Sequence, residues 1–406
     1  MVRQAGTFLA GRGHGAMDGK GPARVRRLPH RFPFPSMNPL ETIITHGSGI
    51  PEMPLVENLP SPAVLSAESE QPDARVFVLD DAGKVAAHLA LWWNDVPPHP
   101  DHRLGVAGGF AALDQESAKA LLDAACGYLA AQGCTLAVGP MNGNTWRGYR
   151  FVDESGERPP FLLEPRNPFS YPAWWRASGF GRLSSYSSSA MELDGSEAVP
   201  SALKERIIRS GISIRALDPD RYEEELATIH EISLCSFANN FLYTPLENES
   251  FIASYRKVKP HVDPQLVRIA ERNGVPCGFV FGVPDLEAAA RGESPAVIVK
   301  TLAVDPASRS AGLGSLLVDE LHRIARDKGY TEAIHALQHE TNTSLKITGR
   351  HEGRAFRRYV LFSKDLVPSL DGVAGTERGL QSASSGSLDS PGRTEVRAPI
   401  HFGNSI

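Results

Sequence analysis

The sequence predicts a mixed α/β chain (α+β, with mixed sheets) built as two lobes, each a mostly antiparallel sheet flanked by helices, between disordered ends. Three observations carry that expectation. A buried strand, a glycine-containing loop and an amphipathic helix follow one another at 297–329. The same order of strands and helices runs through both halves of the chain. Both ends shift to Gly, Pro, Ser and Arg and lose periodic apolar residues.

The 406 residues suffice for two domains with tails, and 41% hydrophobic with 22% charged residues is ordinary for a soluble globular chain. A net charge of -5 gives no global basic field to draw nucleic acid or an anionic membrane. No apolar run approaches the roughly 20 residues that span a bilayer. Cys126, Cys134, Cys235 and Cys277 form no CxxC, and each sits in an apolar or helical context. They read as reduced, buried thiols, so the expectation is a cytoplasmic protein with no disulfide frame, no metal, no nucleic-acid partner and no membrane partner. The sequence leaves the oligomeric state open.

In chain order, 1–72 reads as a disordered or extended N-terminal segment. Its first 36 residues are Arg-rich, acid-poor and without a signal-peptide apolar core, which fits a transit peptide, a disordered extension or sequence translated ahead of Met37. The first lobe, 73–200, opens with a hairpin, Arg75–Leu79 and Val85–Trp93. A strand follows near Leu104–Phe110. Gln115–Gln132 is a helix with Ala118, Leu121, Leu122, Ala125 and Leu129 on one face. Thr135–Val138 is a strand, Tyr171–Ser178 a helix and Ser184–Leu193 an alternating final strand. The second lobe, 201–366, repeats this order. Ile212–Arg215 is a strand and Pro219–Ser236 a helix. Gln265–Ala270 and Cys277–Val283 form a hairpin about Asn273-Gly274. The central strand, loop and helix come next, then strands at Thr331–Leu337 and Arg358–Phe362. The segment 367–406 is Ser/Gly-rich and reads as a disordered tail.

Val297 to Val304 is a continuous β-branched and apolar run, stopped by Asp305-Pro306. Arg309-Ser310-Ala311-Gly312-Leu313-Gly314 follows, and then a helix with Leu313, Leu316, Leu317, Leu321 and Ile324 on one face. A helix N-terminus presents backbone N–H groups without intrahelical acceptors, and glycines let a ligand approach them. Such a loop suits a phosphate or pyrophosphate. A Walker loop requires Gly-Lys-Ser/Thr, whereas Ser315-Leu316 follows Gly314. A dinucleotide fingerprint requires its first glycine directly after the strand, whereas Gly312 lies well beyond Val304.

Leu-Ala-Val-Asp-Pro followed by Arg-x-x-Gly-x-Gly resembles the acyl-CoA motif of the GCN5-related N-acetyltransferases, the GNAT superfamily. The resemblance covers about 212–366 and is specific at 298–328. It implies a tandem GNAT-like protein whose first lobe, lacking that loop before its helix, is degenerate and binds no acyl-CoA. It implies acetyl-CoA, or another acyl-CoA, as co-substrate, with an amine acceptor that the sequence leaves unnamed. Arg309, Ser310, Ala311, Gly312, Leu313, Gly314 and Ser315 would hold the pyrophosphate. Leu302, Ala303 and Val304 would pair with the pantetheine amides along an open strand edge. Asn342 matches the asparagine that contacts the cofactor arm in that family. His339 and Glu340, just past the fifth strand, are candidate bases. The tyrosine that many members place beyond the asparagine as a proton donor is missing between Leu345 and Ala355, which leaves Ser344 as a weak substitute. Tyr359 belongs to the next strand and reads as a packed aromatic. The expected function is therefore an acyl-CoA-dependent N-acyltransferase, acetyl first among acyl groups, acting in the second lobe. The alternative is a non-catalytic acyl-CoA-binding regulatory protein. The aromatic, Asn- and Arg-rich loops at 139–147 and 161–169 read first as packing between the lobes and second as places for ligand contacts.

Overall fold

The computed structural model describes residues 40–46, 50, 59–60, 71–256, 258–308 and 312–366, with the two-residue strand Arg26–Arg27. Apart from that strand, the expectations for 1–36 and 367–406 lie outside the described residues. So do Arg309, Ser310 and Ala311.

Apolar and β-branched runs form strands throughout. The first half holds β1 (Glu41–His46), β2 (Ala74–Leu79), β3 (Val85–Trp92), β4 (Leu104–Ala112), α1 (Gln115–Ala131), β5 (Leu136–Gly139), β6 (Phe151–Glu154), α2 (Ser170–Ala177) and β7 (Gly181–Glu192). The second holds α3 (Ser201–Arg209), β8 (Ile212–Ala216), α4 (Tyr222–Phe237), α5 (Asn248–Arg256), β9 (Val267–Arg272), β10 (Val275–Pro284), α6 (Leu286–Ala290), β11 (Ala296–Val304), α7 (Leu313–Asp327), β12 (Glu332–His339), α8 (Ser344–Arg350) and β13 (Arg354–Asp365). The expected elements are present, most with ends shifted by a few residues. Strand β1 lies in the 1–72 segment expected to be disordered or extended. It pairs with β2 from Glu41↔Leu79 to His46↔Ala74 and buries Ile43, Ile44 and Thr45.

All strands join one sheet, in the order β1-β2-β3-β4-β5-β13-β7-β12-β11-β10-β9-β8, with β6 also paired to β13. Each half ends in a strand that leaves its own half. Strand β7, the last of the first half, pairs with β12 of the second (Ala333↔Met191, His339↔Tyr186). Strand β13, the last among the described residues, pairs with β5 of the first (Phe362↔Gly139). The two exchanged strands also pair with each other through Tyr359↔Tyr186.

Side chains alternate across a strand, so each sheet face collects its own core. Helix α1 puts Leu121, Leu122 and Leu129 onto the first half, with Trp175 of α2. Helix α7 packs Leu313, Leu317 and Leu321 against Val280 and Val299. Helices α4 and α5 cover the opposite face, where Leu226, Ile229 and Phe251 meet Phe279, Phe281 and Ala303. At the centre Tyr186, Leu242, Ile298, Leu337 and Tyr359 form a cluster drawn from both halves. Burial raises the Cys126 thiol to about 11 and also raises Cys134 and Cys277. Cys235 is exposed, against the expectation of four buried thiols.

Candidate functional site

Two bulges open a wedge at the C-terminal ends of β11 and β12. Strand β11 pairs with β10 as Phe281↔Thr301 and then Gly282↔Val299, which leaves Lys300 as an extra residue. A bulge of this kind bends its strand and disrupts the ladder locally. The parallel pairing of β11 with β12 runs only from Ala296↔Glu332 to Val299↔His335. Beyond that point Leu302, Ala303 and Val304 bond to β10 alone, and their other edge faces the wedge. Strand β12 bends away at Leu337, whose φ is +54. The Leu337 amide donates to Ser188 Oγ at 2.9 Å, and its carbonyl accepts from Arg150 Nη1 at 3.2 Å. Both contacts come from the first half.

Helix α7 starts at the mouth of the wedge. Gly312 is its N-cap at φ +93, a conformation in which a β-carbon is strained. A Cβ at Gly314 would sit 3.6 Å from Leu302 Cδ2 and 3.6 Å from Ile347 Cδ1, so the first turn abuts the open edge. The first-turn amides of Leu313, Gly314 and Ser315 lack intrahelical acceptors. Arg350 Nη1 donates to Ser315 Oγ at 2.9 Å and brings a cation to the same turn. The sequence reading missed Arg350 because it ends a seven-residue helix, α8, too short to show a periodic signal. Asn342, just past β12, is buried. Its Oδ1 accepts from the Ser344 amide at 2.9 Å, while its Nδ2 donor is closed off from water without a partner.

Each candidate catalytic group has a definite setting. The His339 ring lies between Ser184 Oγ, 2.6 Å from Nε2, and Thr341, whose amide is 3.2 Å from Nδ1. An amide N–H can only donate, so the assigned proton sits on Nε2 and points at Ser184. Burial lowers the His339 pKa to about 4, so the ring is neutral at pH 7. Glu340 is exposed and accepts from the Ser185 amide at 3.1 Å. The Ser344 hydroxyl is buried and accepts from Gln338 Nε2 at 2.7 Å. Tyr359 is packed as expected, and its hydroxyl also bonds Glu164 and lies 2.9 Å from Ser188 Oγ.

Strand exchange brings two further tyrosines to this end of β12. The Tyr186 ring stands edge-on to His339 at 5.0 Å. The Arg150 guanidinium lies 3.8 Å from the Tyr149 ring centre and 4.1 Å from that of Tyr186. Burial raises both tyrosine pKa values, so both hydroxyls stay protonated at neutral pH. They come from the first half, and no local spacing in the second half could have revealed them.

The first half has the corresponding opening, and its own chain fills it. Strands β4 and β5 pair in parallel only from Leu104↔Leu136 to Val106↔Val138. The Met141 amide then donates to the Ala107 carbonyl at 2.8 Å, and the Gly109 amide donates to Asn142 Oδ1 at 2.8 Å. A Cβ at Gly108 would meet Met141 O at 2.2 Å. The loop continues into the second half, where Trp146 packs 5.9 Å from Phe251, in line with the packing expected of it. A cleft of about 960 Å³ opens at the other end of β11 and β12, lined by the ion pairs Arg158–Glu332 and Arg291–Glu293. It lies away from the wedge. Among the described residues no group of His, Cys, Asp or Glu could hold a metal ion, and no helix is long and apolar enough to cross a membrane.

Residues 226–346 match the family model described as Acetyltransferase (GNAT) family. A bacterial ceramide synthase of Caulobacter vibrioides is 26% identical over 223 residues, 53% of this chain and 58% of the relative. Protein YghO of Escherichia coli K12 is 25% identical over 179 residues, 43% of this chain and 45% of the relative. The chain thus spans about half the length of these curated relatives. Similar solved structures include a GCN5-related N-acetyltransferase from Sphaerobacter thermophilus, with 14% identity, TM-score 0.44 and coverage of 73% of this chain and 82% of that one. A tandem GNAT protein from the clavulanic acid biosynthesis pathway has 14% identity, TM-score 0.42 and coverage of 73% and 83%.

Proposed function

We propose that this GNAT-superfamily chain is an acyl-CoA-dependent N-acyltransferase that works in the wedge between β11 and β12. The observation that carries the reading is the unpaired Leu302–Val304 edge lying beside the first turn of α7. An extended chain of amides can add to that edge, and a pyrophosphate can meet the helix amides and Arg350. The unpartnered Asn342 Nδ2 suits an amide carbonyl of the same ligand.

In the reaction a neutral amine attacks the thioester carbonyl. A C–N bond forms, the C–S bond breaks, and the sulfur leaves as a thiolate that takes up a proton. Tyr186 and Tyr149 are O–H donors for that thiolate in place of the tyrosine missing from 345–355. Glu340 is the open carboxylate able to accept the amine's proton. His339 is held neutral with both nitrogens bonded, and Ser344 with its hydroxyl bonded, so we give both a positioning role. The name of the Caulobacter relative supports a fatty acyl group over acetyl, because a ceramide is a fatty amide of a lipid amine. A cytoplasmic setting belongs to the same proposal.

Calorimetry of the intact chain with CoA should show one site, with heat falling as salt rises. Single-turnover release of CoA thiol, with acetyl-CoA and palmitoyl-CoA in separate arms, should require an amine. CoA binding without thiol release in any arm would leave the regulatory, non-catalytic reading. Absence of CoA binding would remove both.

A further inference from the structure

Two neighbouring strands whose facing edges are unpaired tend to zip together, because each edge carries the donors and acceptors that the other lacks. In the first half this cannot happen, since Met141 and Asn142 already bond to the edge of β4. In the second half the Leu302–Val304 edge is open, and continuing the register of Val299↔His335 by two residues would set Leu337 opposite Thr301. Strand β12 must therefore be held off β11, and Leu337 is where it is held. It is a non-glycine residue at φ +54, a backbone conformation that persists only where its surroundings enforce it. Side chains of the first half take both of its backbone polar groups. Ser188 Oγ accepts from the Leu337 amide at 2.9 Å, and Arg150 Nη1 donates to its carbonyl at 3.2 Å. The pairing with β7 skips at the same place, from His335↔Ser189 to Gln338↔Ser187, so Ser188 meets the bend with its side chain.

Each of these two side chains is itself fixed. The Ser188 hydroxyl lies 2.9 Å from that of Tyr359, which gives its one proton to Glu164. Ser188 therefore donates to Tyr359 and keeps a lone pair for the Leu337 amide. Arg357 Nε stands 3.1 Å from Glu164 Oε1, so the chain ends on a buried ion pair. The Arg150 guanidinium is set between two rings, 3.8 Å from the centre of Tyr149 and 4.1 Å from that of Tyr186. The Arg150 backbone is at φ +67, and its amide donates to the Pro140 carbonyl at 2.8 Å. Both Ser188 and Arg150 are buried, so neither can swing away into water.

We infer that Ser188 and Arg150 of the first half are positioning residues for acyl transfer in the second. They engage both polar groups of Leu337, keep β12 off β11 and so keep the thioester edge open. The first half thus works as part of the second half's site. The inference rests on the N-acyltransferase reading.

The test uses Ser188→Ala and Arg150→Met in the full chain, with Ser188→Cys as a variant of nearly the same size and a weaker acceptor. The control is Tyr171→Phe, which removes a buried hydroxyl bonded to Ala112 within the first-half core. Calorimetry should show CoA binding weakened about tenfold or more in Ser188→Ala and Arg150→Met, and in the same direction in Ser188→Cys. Losing these bonds moves β12 toward β11, and only the open fraction binds. Deuterium exchange separates this from general loosening. Closing the wedge slows exchange in the peptide covering 300–304 of the CoA-free variants, whereas loosening speeds it. Tyr171→Phe should lower Tm and leave both CoA affinity and that exchange unchanged. Folded Ser188 and Arg150 variants with wild-type CoA affinity overturn the inference and leave the acyltransferase reading standing. So does a loss of affinity accompanied by faster exchange at 300–304. No CoA binding by the unaltered chain overturns both.

Discussion

At the scale of single residues the glycines of the α7 loop make a controlled comparison. Gly314 has room for a β-carbon in ordinary contact with Leu302 and Ile347. Gly314→Ala should therefore leave thermal unfolding nearly unchanged. Gly314→Asp adds a carboxylate beside the amides that await a pyrophosphate. At an effective dielectric near 20, two like unit charges about 4 Å apart cost roughly 4 kcal/mol, nearly three decades in affinity. Calorimetry should show CoA binding lost from this variant and kept in Gly314→Ala. Unchanged affinity in a folded Gly314→Asp would mean that no anion binds there. Gly312 behaves differently, since at φ +93 any side chain is strained and a Cβ would lie 2.9 Å from Leu203 Cδ2. Gly312→Ala should lower stability by about 1 kcal/mol or more, seen as a lower Tm.

At the scale of elements, α7, β12 and α8 are tied together by a buried polar chain. His322 Nε2 lies 3.1 Å from His335 Nε2, His335 Nδ1 lies 2.8 Å from Thr348 Oγ1, and Thr348 donates to Gln338 at 2.9 Å. Burial lowers His335 to about 3, and His88 of β3 and His339 to about 4. An unfolded chain takes up these protons near pH 6.5. Below that pH the unfolded state binds more protons than the folded one, so stability is complete above about 6.5 and falls as the pH drops toward 4. Each histidine contributes a slope approaching 1.4 kcal/mol per pH unit. Urea midpoints at pH 7.5, 6 and 5 should decline, and His335→Gln should flatten the decline. A midpoint independent of pH would contradict the buried neutral assignment. The central strand, its loop and α7 were legible because a β-branched run, two glycines and a 3.6-residue period coincide within thirty residues. The open edge was legible only through resemblance, because nothing in Lys300 marks it as a bulge. The histidine chain was hidden because its members lie on three elements. Tyr149, Tyr186 and Arg150 were hidden because an alternating strand fits either half equally well.

At the scale of the whole molecule the exchange of β7 and β13 makes the two halves interdependent. Ala333, Ile334, Ala336 and Leu337 of β12 are buried beside β7, and Leu361 and Phe362 of β13 are buried in the first half's sheet. A fragment of 201–366 loses the partner of β12 and leaves β13 without β5. It keeps two apolar strand edges, which tend to pair with another chain. Size-exclusion chromatography should show that fragment self-associating, with a lower Tm than the full chain. A stable monomer would show that the exchange is dispensable.

Met141 and Asn142 bond to the edge of β4 much as an extended ligand would bond to the edge of β11. One half therefore carries, in its own chain, a cast of the occupant that the other half is shaped to receive. The spacing of Met141 N on Ala107 O and Asn142 Oδ1 on Gly109 N is a template for an inhibitor scaffold. A short extended compound that presents an amide donor and a carbonyl at that spacing should compete with CoA for Leu302–Val304 while leaving the first half untouched.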